Sequence, residues 1–137
     1  LDIPLEALSS LSDRSICVLT AKQQTQEKVE LLESNGVRVI QAEQQVTGQF
    51  IRQTLVSLGY RSAYMIAGPE VHHTLVVDSC LDELFLTKHL SLLGGNAFHS
   101  LLQADMEAVR MKPLSIYLDQ QQGQVFMRYQ YREGERS

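Results

Sequence analysis

The sequence predicts an α/β fold, with a mostly parallel twisted sheet flanked by helices and an antiparallel C-terminal hairpin. Three observations carry this expectation. Short apolar, partly β-branched runs alternate with helical stretches as far as about residue 89, in the order βαβαβαβ. Parallel neighbours need crossover connections of this kind. From Gln124 the pattern switches to strict alternation (QVFMRYQY) behind the turn-forming DQQQG, which reads as an antiparallel hairpin. The chain has 137 residues, 44% of them hydrophobic and 20% charged, the size and composition of one globular domain.

The elements follow in order. Residues 1–12 (LDIPLEALSSLS) show no period and contain Pro4, so they read as an extended lead-in. Ser15 to Thr20 (SICVLT) is a short buried strand. Thr25 to Asn35 is a helix with Thr25 as N-cap and Asn35-Gly36 as its stop. Val37 to Ile40 is a second strand. Thr47 to Leu58 is the clearest amphipathic helix, with Phe50, Ile51, Leu55 and Leu58 at three- and four-residue steps and Gly59 as terminator. Ser62 to Ala67 is a third strand, Glu70 to Val77 a short helix, and Asp82 to His89 a fourth strand with Leu84 and Leu86 on the face opposite Phe85. A loop over Leu92–Asn96 precedes strands at Met106–Met111 and Leu114–Leu118, and Asp119–Gly123 turns into the last strand, Gln124–Tyr131.

The strand–Gly-Pro–helix passage around Gly68-Pro69 carries the chemistry. The first N–H groups of a helix have no intrahelical partners, and the dipole adds about half a positive charge there. Phosphates settle at such ends. Gly68 offers no side chain to obstruct an anion, and Pro69 suits a first helical position. In open parallel sheets ligands bind at the carboxyl ends of strands, where Thr20-Ala21-Lys22 and Ala67-Gly68-Pro69 both fall.

Other arrangements are read structurally. Adjacent Asp82 and Glu83 point to opposite strand faces and make no catalytic pair. His72 and His73 diverge by about 100° on a helix and share no metal ion. Cys17 and Cys80 read as thiols in a reducing compartment, consistent with a cytoplasmic protein. Leu1-Asp2-Ile3-Pro4 lacks the features of a secretory signal, and no apolar run reaches a membrane span. The net charge of −4 argues against a nucleic-acid partner, and Arg128, Arg132 and Arg136 read as solvated surface.

Taken together, Ile66-Ala67-Gly68-Pro69, the helix to Val77, Leu81-Asp82-Glu83-Leu84 and Gly94-Gly95 form an order and spacing that resembles a known family. It is similar to the reductase domain of the bifunctional riboflavin-biosynthesis deaminase–reductase, which has a dihydrofolate reductase-like fold. LDIPLEALSS and GQVFMRYQYR resemble the family's inter-strand segment and last strand, so the resemblance spans nearly the whole chain. It implies one dihydrofolate reductase-like domain over residues 1–137, N-terminally incomplete, because the family's preceding strand–helix–strand section has no counterpart.

The resemblance further implies an NADPH-dependent reductase of a pyrimidine nucleotide-like substrate. Gly68, Pro69, Glu70, Val71, His72, His73 and Thr74 would receive the cofactor's pyrophosphate. Thr20 would lie near the adenosine end, and Lys22 would favour the extra 2′-phosphate. Ile66 stands where the family has a substrate-contacting glutamate, and an isoleucine accepts no hydrogen bond from a pyrimidine. The catalytic residues stay unassigned. A non-catalytic nucleotide-binding module of the same fold, or a reductase of another substrate, is the alternative. A homodimer is expected, pairing through the alternating Val125–Tyr131 strand.

Overall fold

A computed structural model describes residues 14–22, 26–92, 94, 101 and 108–131. The expectations for the lead-in, for Thr25 as a cap, and for Gly95, Met106, Arg132 and Arg136 lie outside the described residues. The chain divides into two compact units, Leu1–Arg61 and Ser62–Ser137.

In the first unit, β1 (Cys17–Ala21), α1 (Gln26–Ser34) and β2 (Arg38–Ala42) form a βαβ unit, followed by α2 (Gly48–Ser57). β1 and β2 pair in parallel, from Cys17 opposite Arg38 to Ala21 opposite Ala42. Val29 and Leu32, three residues apart on one face of α1, are buried, as are Val37 and Ala42. The Thr47 hydroxyl caps α2 by accepting from the Phe50 N–H at 3.1 Å.

In the second unit, α3 (Pro69–Val77) precedes β3 (Glu83–His89), β4 (Met111–Asp119) and β5 (Gln124–Tyr131). The three strands form an antiparallel sheet in the order β3-β5-β4. The β4–β5 turn forms as expected, with the Asp119 carboxylate accepting from the Gln121 and Gln122 N–H groups at 3.0 Å each. Leu84 and Leu86 are half-buried and Phe85 is exposed, as the alternation requires. Leu75 and Val76 of α3 supply the buried apolar side chains of this unit among the described residues.

Four expectations are corrected. The mostly parallel sheet is replaced, among the described residues, by one parallel pair and one antiparallel trio. Ser62–Ala67 is no strand but an irregular segment, with Tyr64 86% and Ile66 99% exposed. An apolar run becomes a buried strand only when a ladder partner satisfies its backbone and covers its side chains, and no described strand lies beside this one. β5 is no free edge, because it is bonded on both sides; among the described residues β3 and β4 are the edges. Where strands are expected at Met106–Met111 and Leu114–Leu118, the described residues form a single strand from Met111, carrying an irregularity between Pro113 and Ser115. Pro113 lacks an N–H, which an edge strand tolerates. Among the described residues no helix is long and apolar enough to cross a membrane.

Candidate functional site

Gly68 and α3 build the candidate anion site. Gly68 is the N-cap in an extended conformation, with no side-chain cap, and Pro69 occupies the first helical turn. The first intrahelical bond runs from the His72 N–H to the Gly68 carbonyl at 3.2 Å. Pro69 has no N–H, so Glu70 and Val71 hold the helix-entry amides without an intrahelical acceptor. A Cβ placed on Gly68 would meet nothing within 4 Å, so the space beside the cap is open. Two amides and the helix dipole make a small cradle for one phosphate group. Glu70 is exposed in the same turn. Its carboxylate suits the dipole and opposes an incoming phosphate unless it turns away.

The other expected side chains divide by what they touch. His72 is 6% exposed. Its Nδ1 lies 3.2 Å from the Leu101 carbonyl and its Nε2 2.9 Å from the Tyr131 hydroxyl, so the ring is committed to the protein interior. The Thr74 hydroxyl donates to the Glu70 carbonyl one turn back, at 3.0 Å. His73 is half-buried, and its Nδ1 has no hydrogen-bond partner among the described residues. What the segment offers an anion therefore narrows to the backbone of Gly68 through Val71. Ile66 presents an exposed apolar side chain two residues before the cap.

Thr20 and Lys22 belong to the first unit, at the carboxyl end of the parallel pair. Thr20 is buried and Lys22 exposed. The Lys22 N–H donates to the Ala42 carbonyl at 2.9 Å, and its Nζ meets the Glu43 carboxylate at 3.3 Å. Both charged groups are exposed, so the pair is weak and the ammonium is easily transferred to another anion.

Sequence reasoning missed two features of the second unit. Arg128 is exposed, as expected, but it is not without partners. It grips the Glu83 carboxylate through two hydrogen bonds, of 2.8 and 2.7 Å, and its guanidinium lies 5.5 Å from the centre of the Phe85 ring. The hydrogen bonds and charge of Arg128 hold the Glu83 carboxyl below the usual range, and Glu83 raises the Arg128 guanidinium in turn. The cross-strand register places Phe85 opposite Arg128, whereas Gln130 is opposite Glu83, so the bridge is diagonal. The second feature is the His72–Tyr131 contact, whose partners stand 59 residues apart. Burial raises the Tyr131 hydroxyl above its ordinary pKa and keeps it protonated as a donor. An alternating strand ending in Tyr131 was the available signal, but alternation does not say which polar group waits beneath.

No family model matches the sequence, and no curated protein matches it significantly. Solved structures do match in fold. A pyrimidine reductase-like protein from Corynebacterium diphtheriae superposes with a TM-score of 0.73 at 17% identity, over 92% of this chain and 52% of its own. RibD from Acinetobacter baumannii in one crystal form gives 0.73 at 17% identity, over 96% of this chain and 35% of its own. A second form gives 0.62 at 15%, over 85% and 37%. The chain spans about half or less of the length of these structures. Its fold is that of a part of RibD and of the pyrimidine reductase-like protein.

Proposed function

We propose that this chain is the cofactor-binding part of an NADPH-dependent reductase with a dihydrofolate reductase-like fold, acting on a pyrimidine nucleotide-like substrate. The observation that carries the reading is the open Gly68 cap with the Glu70 and Val71 amides beyond it, in a chain whose fold is similar to that of part of RibD. Those amides would hold the pyrophosphate. When bound, NADPH supplies the hydride. The chain's own residues bind and orient it. Two unbridged cysteines accord with a cytoplasmic setting. The protein is expected to work as a homodimer, since the edge strand β4 exposes Leu114, Ile116 and Leu118. A light-scattering mass equal to one chain would refute the dimer.

A titration with NADPH, followed by fluorescence and by the melting temperature, tests the cofactor reading. A ligand at 100 times its Kd stabilises by about 2.7 kcal/mol, a shift of several degrees for a domain this size. Millimolar NADPH that moves neither signal sinks the reading. Exposed, apolar Ile66 supports a second reading, a binding module of the same fold without turnover. NADPH oxidation in the presence of a pyrimidine ribosylamine phosphate would eliminate that alternative.

A further inference from the structure

We propose that the hydrogen bond between His72 and Tyr131 is a positioning lock, setting the Glu70 and Val71 amides for the pyrophosphate; this rests on the cofactor reading above. His72 follows those two amides directly and is the first residue of α3 whose N–H is used inside the helix. Its ring is tied at both nitrogens, to the Leu101 carbonyl at 3.2 Å and the Tyr131 hydroxyl at 2.9 Å. A carbonyl only accepts, so Nδ1 carries the proton and donates to it. Nε2 is then a lone-pair acceptor, and the Tyr131 O–H donates to it. One neutral tautomer satisfies every group. Tyr131 is the last residue of β5, and its N–H donates to the Asp82 carbonyl at 3.0 Å. The entrance turn of α3 is thereby pinned to the centre strand of the sheet by directional bonds. Apolar packing of Leu75 and Val76 resists separation but is not directional and sets no rotation. Displacing a binding group by about 1 Å is enough to lose much of its effect.

The test uses the full chain with two variants. Tyr131→Phe deletes the donor and keeps the ring. Leu75→Val trims buried apolar volume in the same helix and leaves the lock intact. Tyr131→Phe is expected to raise the Kd for NADPH roughly 3- to 10-fold, the worth of one hydrogen bond, whereas Leu75→Val lowers the melting temperature and leaves the Kd alone. Equal Kd values for wild type and Tyr131→Phe, or equal weakening by both variants, overturn the lock. Nuclear magnetic resonance of the ligand-free protein supplies a readout independent of the cofactor. Histidine nitrogen spectra are expected to show His72 protonated on Nδ1, and Tyr131→Phe to shift the Glu70 and Val71 amide resonances more than Leu75→Val does. The other tautomer, or unmoved amides, overturns the lock even if wild type binds NADPH. Wild type that ignores NADPH while Tyr131→Phe still shifts the two amide resonances defeats the cofactor reading and leaves standing only the control of those amides by the His72–Tyr131 bond.

Discussion

Gly68 sits at φ −70° and ψ 174°, an extended conformation open to any residue, and the space where a Cβ would go is empty. Neither backbone strain nor internal packing therefore demands a glycine here; Gly suits the N-cap position, and it also leaves room for a close-approaching ligand. Gly68→Ala is expected to change stability by no more than about 0.5 kcal/mol, because a poorer cap offsets the reduced freedom of the unfolded chain. It should still weaken NADPH binding about tenfold or more, measured by the same titration. Unchanged affinity would show that no phosphate reaches the cap. Glu83 gives the second residue-scale prediction. Arg128 lowers its folded-state pKa, so its contribution is fully present above the unfolded value and is lost as pH falls through the lower folded value. In melting curves from about pH 7 down to about pH 3, Glu83→Gln should melt below wild type at neutral pH, with the gap closing in acid. A gap independent of pH would remove the carboxylate from the account.

The helices share a terminator. In α1, the Gly36 and Val37 N–H groups donate to the Glu33 and Leu32 carbonyls. In α2, Gly59 and Tyr60 donate to Val56 and Leu55, and in α3, Ser79 and Cys80 donate to Val76 and Leu75. This paired closure needs a left-handed residue just beyond the cap. Gly36 (φ 78°) and Gly59 (φ 85°) supply it without cost, whereas Ser79 takes φ 53° with a side chain. Ser79→Gly should therefore stabilise the protein by about 0.5–1 kcal/mol, raising the melting temperature by a few degrees. A lower melting temperature would mean that the serine side chain makes a contact worth more than its strain. The glycine stops made α1 and α2 legible in sequence. The end of α3 carried no such mark, and only the apolar run before it placed the helix.

At the scale of the whole chain, the local order of elements was legible and the pairing was not. Cys17–Ala21, Arg38–Ala42 and Glu83–His89 were readable because β-branched and apolar residues cluster between turn formers. Which strands lie side by side depends on distant residues, and Ser62–Ala67 shows the consequence. The segment YMIA has strand-like composition, yet Tyr64 and Ile66 stand almost fully exposed. The same limit holds at the site. The Gly-Pro cap follows from adjacent residues, whereas His72 meets Tyr131, 59 residues further along, only once the chain between them is folded. Hydrogen exchange makes the pairing measurable. Amides of β5, bonded to both neighbours, should be the slowest of the sheet, because the strand opens only when the unit does. The Ala63 to Ala67 amides should exchange near the unfolded-chain rate, since no described strand accepts their bonds. Protection across 63–67 matching that of β5 would mean that another strand lies against this run in solution. It would also restore the buried strand that the composition of Ser62–Ala67 predicts.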